Sequence, residues 1–161
     1  MTTKDPWTHF DYFLGEWQGT GSGGPGESKV TRSYQLVLQD KFIQIVDQSD
    51  YPPQEKNLDG ELHENLGMLS YDSGRECFVL REFHVEGFVN QYVLDVCEPG
   101  ERFVFLTESI ENIGPGWRAR TTYEILGPDH YRETFDLAGP DKPWACFITN
   151  ELYRHVPGEV S

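Results

Sequence analysis

Apolar and polar residues alternate along most of this chain, and the alternating runs are cut at a regular beat by turn-forming clusters. The clusters are GGPG at 23–26, QD at 39–40, YPPQEKNLDG at 51–60 and DSG at 72–74, then VEG at 85–87, EPG at 98–100, GPG at 114–116, GPD at 127–129 and GPDKP at 139–143. Between them lie β-branched and aromatic stretches such as KVTRSYQLVL, KFIQIVDQ, ECFVLREF, FVNQYVLDV and RFVFLTESI, which read as strands. No internal segment sustains an i, i+3, i+4, i+7 apolar pattern, so long helices are not expected. Nine turns joining ten strands, with short connections, make neighbouring strands antiparallel. Strands of this length connected up-and-down suit a closed barrel better than a sandwich, because closure removes exposed edges. The expected fold class is all-β, a ten-stranded antiparallel up-and-down barrel.

The start of the chain breaks the pattern. Asp5-Pro6 reads as the N-cap and first position of a short helix over 5–14, carrying Trp7, Phe10, Tyr12, Phe13 and Leu14. So many rings on so short a piece need cover, and a plug across one barrel mouth provides it. The expected organisation is a single domain over 1–161, with the plug at 5–14, the barrel at 15–156 and a tail at 157–161.

The stretch FLGEWQGTGSGGPG holds a literal G-x-G-x-x-G at Gly21, Gly23 and Gly26. A dinucleotide-binding loop must open a helix, whose N-terminus holds the pyrophosphate. Here the loop runs into the strand-like KVTRSYQLVL, and Pro25 removes an amide donor from the supposed cradle. The glycines have another use. Trp17, Gly19 and Gly21 alternate at period two and so face one side of the first strand. A large ring followed by two absent side chains is expected to leave room for an internal cavity.

Composition narrows the partners. The 161 residues suffice for one sizeable core, and aromatics reach 14% against 37% apolar overall, so rings supply much of the core volume. Thirteen basic and 27 acidic residues leave a formal charge of −14. Such a surface repels phosphate backbones and anionic headgroups, so neither nucleic acid nor membrane is expected as a partner. Cys77, Cys97 and Cys146 show no C-x-x-C spacing and are expected as reduced, buried thiols. MTTKDPWTHF has no apolar h-region and no run approaches the ~20 apolar residues of a membrane-spanning helix, so the expected location is cytoplasmic.

GEWQGTG at 15–21 resembles the G-x-W-x-G-x-G signature of the nitrobindin-like barrels, ten-stranded relatives of the fatty-acid-binding proteins and lipocalins. LHENLGMLSYDSGRECFVLREFHVEG at 62–87 is similar to their L-H-x-E-x-G segment and following hairpin, with Asn65 where the acid usually stands. Lipocalin-like bacterial families also carry a G-x-W-x-G start and a G-x-L-x-Y-D like GMLSYD at 67–72. The resemblance implies a barrel with an apolar internal pocket. It also implies haem for members with an iron-ligating histidine on the last strand. In WACFITNELYRHV that position falls on Phe147 or Ile148, neither of which can ligate iron, and His155 lies further on. By the same resemblance His63 and His84 fall on neighbouring strands and face the cavity. There they could bind a metal, replace the missing haem ligand, or fix the polar end of an occupant.

Other chemistry is not marked by motifs. HEN at 63–65 begins like H-E-x-x-H, but the fifth position is Gly67 and the segment is a strand. HVE at 84–86 is not followed by P-C-x-x-C, and there is no G-x-S-x-G. Neither a metal site nor a catalytic residue is assigned. Glu82, Glu86, Glu108, Glu111, Glu124 and Glu133 mostly alternate with apolar residues, as on a solvated outer face. Arg81, Arg118, Arg120 and Arg154 lie within strands, where an inward arginine can pair a ligand carboxylate, and Arg154 is expected to pack over Trp17.

The leading expectation is a non-catalytic barrel binding a small apolar or amphipathic molecule, with Trp17, Gly19, Gly21, His63, His84 and Ile148 as ligand-binding positions. One alternative is a haem protein for nitric-oxide or peroxynitrite chemistry using His63 or His84. Another is a pocket enzyme with His84 or an inward glutamate as acid or base.

Overall fold

The computed structural model describes residues 6–156 and Gly158. A 3-10 helix, Pro6–Phe13, leads into ten strands. These are β1 (Gly15–Gly23), β2 (Ser28–Val37), β3 (Phe42–Tyr51), β4 (Glu61–Asp72), β5 (Cys77–His84), β6 (Val89–Glu98), β7 (Arg102–Glu111), β8 (Arg118–Gly127), β9 (His130–Ala138) and β10 (Ala145–His155). Each strand pairs antiparallel with its sequence neighbours and β1 closes onto β10, giving an up-and-down barrel without edges. The fold class read from the alternation is the one observed. Asp5, taken as the N-cap, and most of the 157–161 tail lie outside the described residues.

The helix fills one end of the barrel. Its Trp7, Phe10 and Phe13 are buried, and Phe10 meets Phe78 edge-on at 4.8 Å while Phe13 meets Tyr131 at 5.1 Å. Offset and edge-to-face ring pairs of this kind add to plain burial. The plug is tied by directed bonds as well. Trp17 Nε1 donates to Phe13 O at 2.8 Å, and the Tyr12 hydroxyl donates to Gly127 O at 2.8 Å. Arg154, as expected, lies over Trp17 at 4.3 Å, and its guanidinium donates to Leu14 O at 3.1 Å and Tyr12 O at 2.7 Å. The helix's own rings therefore occupy one half of the barrel, and the other half is free to be hollow.

The two glycines after Trp17 serve the strand seam rather than the cavity. A Cβ on Gly19 would stand 1.8 Å from the Glu151 carbonyl oxygen, so β1 and β10 approach more closely there than any side chain allows. At Gly21 the space is taken by Asn150 Oδ1 and Ser28 Oγ, at 2.4 and 2.5 Å from a Cβ's place. The expectation that these absent side chains open a cavity is corrected: neighbouring atoms occupy that room. The thiols also differ from expectation. All three are free, but Cys97 and Cys146 are exposed and Cys77 is half-buried, because each sits on an outward strand position or near a strand end.

Candidate ligand pocket

Opposite the plug, the inner faces of β2–β10 enclose a cavity of about 410 Å³. That is the size range of small-molecule sites. Its wall alternates with outward residues along each strand, as the pleat requires. Ile45, Phe88, Ile110, Ile113, Phe135 and Leu137 give an apolar lining, completed by Phe147 and Ile148 on β10. Two consecutive residues line the cavity on β10 because a bulge between Cys146 and Ile148 leaves Phe147 without a partner on β9. At the mouth, Pro25 joins the lining with Tyr51 and Glu61, the strand residues on either side of the β3–β4 loop. The loop is docked on the β1–β2 turn, where Gln54 accepts from Glu27 N and donates to Glu27 O.

The inner end is polar. Arg32 donates from Nη1 and Nη2 to the two carboxylate oxygens of Glu133, at 2.6 and 2.8 Å, and from Nε to Asp47 Oδ1 at 2.6 Å. Asn150 Nδ2 donates to Glu133 Oε1 at 2.9 Å, and the Tyr34 and Tyr131 hydroxyls meet at 2.7 Å beside the guanidinium. Burial alone raises a carboxyl pKa, yet Glu133 lies below its usual range because Arg32 and its hydrogen bonds outweigh that burial. Asp47 is pushed up: its desolvation exceeds what its share of the same cation returns.

Glu82 makes no direct bond to Arg32, whose charge offsets only part of its burial. Desolvation, reinforced by the charge of Glu133, pushes it up to about 8. Its neighbour His84 is pushed down to about 4, chiefly by burial and then by His63. Glu82 Oε2 and His84 Nε2 face each other at 3.6 Å, with side chains 15% and 13% exposed. Near neutral pH the pair is thus a carboxylic acid beside a neutral imidazole. Nearer solvent, His63 Nδ1 and Glu86 Oε1 are hydrogen-bonded at 2.7 Å, and the two imidazole rings lie 5.6 Å apart. Three buried lining atoms, His84 Nε2, Asn90 Oδ1 and Asn150 Oδ1, have no hydrogen-bond partner among the described residues.

His63, His84 and Ile148 stand on the cavity wall, whereas Trp17, Gly19 and Gly21 do not line it. Trp17, on β1, packs with the plug's rings in the aromatic core. Glu82 and Glu133 are corrections to the outer-face reading, since both point inward. The sequence reading also passed over Arg32, Asp47, Asn90 and Asn150. A signal for the charged ones exists: Arg32 sits between Val30 and Tyr34 at period two, and Glu133 between Tyr131 and Phe135. A charge sharing parity with flanking core residues on both sides is a buried charge.

No family model matches the chain, and no curated protein matches it. Among solved structures it is similar to Rv2717c from M. tuberculosis, with a TM-score of 0.71 and 19% identity over 93% of this chain and 97% of that one. A redesigned β-barrel, mFAP0, bound to DFHBI, aligns with a TM-score of 0.49 and 12% identity over 89% of this chain and 100% of that one. At 19% identity the likeness to Rv2717c is one of fold.

Proposed function

We propose that the protein binds a small amphipathic molecule whose polar end carries no negative charge. The observation behind this reading is the composition of the cavity: an apolar wall closed at its inner end by three carboxyl groups served by one guanidinium. A ligand carboxylate finds no free cation there, because Arg32 is engaged by both Glu133 and Asp47. A hydroxyl, amide or amine finds the unpartnered Asn90 Oδ1, Asn150 Oδ1 and His84 Nε2, buried polar atoms of the kind proteins normally pair. The apolar body then supplies the affinity and the polar end the orientation. In family terms the reading is a nitrobindin-like barrel, related to the lipocalins and fatty-acid-binding proteins. The ten-strand order with β1 closing on β10 and the GEWQGTG start support it.

Native mass spectrometry of protein purified from its own host, set against the denatured mass, tests the reading. A discrete excess removed by denaturation, with the mass of a neutral or basic metabolite, is expected. An excess of haem mass, with a Soret band lost on replacing His63 or His84, would favour the haem alternative instead.

A second reading rests on the Glu82–His84 pair, an acid and a neutral base 3.6 Å apart on the wall of a substrate-sized cavity. Under it the occupant is turned over. A recovered ligand chemically changed by the wild type, and unchanged by Glu82→Gln, would establish it.

A further inference from the structure

We propose that His63, His84 and Glu86 form a site for one divalent transition-metal ion of the Zn²⁺ class where the cavity wall meets solvent. Their ligand atoms, one from each residue, all lie within 4.8 Å of one another. Two imidazole nitrogens and a carboxylate oxygen are the donor set such ions take, at about 2.0–2.2 Å from the metal. Closing the group onto an ion therefore takes side-chain shifts of roughly 1 Å.

The backbone brings the three together. In the β4–β5 ladder Asn65 is opposite His84, which makes His63 and His84 diagonal neighbours on the inner face. The turn carrying Glu86 is pinned on both sides: Val85 N donates to Glu64 O at 2.9 Å, His84 N to Phe88 O at 3.0 Å and Gly87 N to His84 O at 2.8 Å. His84 Nε2 is buried and unpartnered, so one donor is unused by the protein's own bonding. The hydrogen bond between His63 and Glu86 would be exchanged for two bonds to the ion. The surplus of carboxyl groups in the cavity favours a cation there. His130 and Glu151 form a comparable pair at 2.6 Å, but Arg132 shares Glu151 and would repel an ion. Three protein ligands leave a coordination position open toward the cavity.

The site goes beyond ligand carriage and needs no organic occupant, so it is tested on untagged, ligand-stripped and chelator-treated protein. Zn²⁺ is titrated calorimetrically, and Co²⁺ binding is followed by its visible d–d absorption. One ion per chain is expected, with Glu86→Gln and His84→Asn each weakening it about tenfold or more. His130→Asn should bind like the wild type. Glu86 is on an exposed turn, so its substitution leaves the fold intact, and far-UV circular dichroism checks this for His84→Asn. The absence of saturable one-to-one binding, or binding that survives either Glu86→Gln or His84→Asn, overturns the proposal.

Discussion

Arg32 and Glu133 meet through two parallel N–H···O contacts of 2.6 and 2.8 Å although β1 and β10 separate their strands in the barrel. The pair spans the interior at the boundary between the aromatic plug and the cavity. Arg32 holds the Glu133 carboxyl below its usual range and opposes the burial that raises Asp47.

Removing the cation should expose that dependence. Arg32→Met leaves Glu133 and Asp47 buried without a counter-ion, a loss expected to cost about 3–5 kcal/mol at neutral pH. The sign with pH follows from the shifts. In the wild type Glu133 lies below its usual 4.5, so its contribution is present above that value and fades as pH falls through the folded pKa. In the variant only the hydrogen bonds from Asn150 and Tyr123 oppose burial and the pKa rises, so stability is lost as pH increases. Denaturant melts of the two proteins should therefore converge in acid and diverge toward pH 7.

Glu82 gives the opposite slope within the wild type. Its pKa rises from 4.5 to about 8 on folding, so the folded state holds the proton and stability declines as pH climbs from about 4.5 to 8. His84, lowered from 6.5 to about 4, makes stability rise with pH over the acid part of that window. The two oppose each other below pH 6.5 and Glu82 acts alone above it. In chelator-treated protein, stability should fall between pH 6.5 and 8 by up to about 1.4 kcal/mol per unit, and Glu82→Gln should flatten that limb.

The glycines of β1 differ in what surrounds them. Gly19→Ala drives a methyl into the Glu151 carbonyl, which is backbone and cannot turn aside, and should cost about 3 kcal/mol or more. Gly21→Ala meets only the ends of Asn150 and Ser28, so a cost nearer about 1 kcal/mol is expected, with the Asn150–Glu133 bond disturbed. Thermal denaturation of the two variants ranks them.

Arg154 fastens the plug through two carbonyl bonds and the face of Trp17. Arg154→Ala should lower stability by about 2 kcal/mol, and lysine should restore only part of it because it lacks the planar fork. Loss of protection in the 6–14 amides by hydrogen exchange would locate the effect.

The barrel was legible because strand alternation and turn chemistry are local properties of the sequence, and the plug because its rings crowd one short segment. The cavity's polar end was harder to see. Glu82 sits in FVLREFH, where residues on both faces are apolar, so parity does not say which way it points. The glycines misled for a related reason: an absent side chain marks a close approach as readily as an empty space, and only the position of β10 distinguishes the two. Phe147 and Ile148 line the cavity together through a bulge, which shifts register without a sequence mark of its own.

The most direct test is a calorimetric titration at pH 7 with a matched pair, a medium-chain primary alcohol and the carboxylate of the same chain length. With Arg32 engaged and the inner end already acidic, the alcohol should bind at least about tenfold more tightly, roughly 1.4 kcal/mol. Tighter binding of the carboxylate, or saturable binding of neither, would contradict a cavity built for a polar end without negative charge.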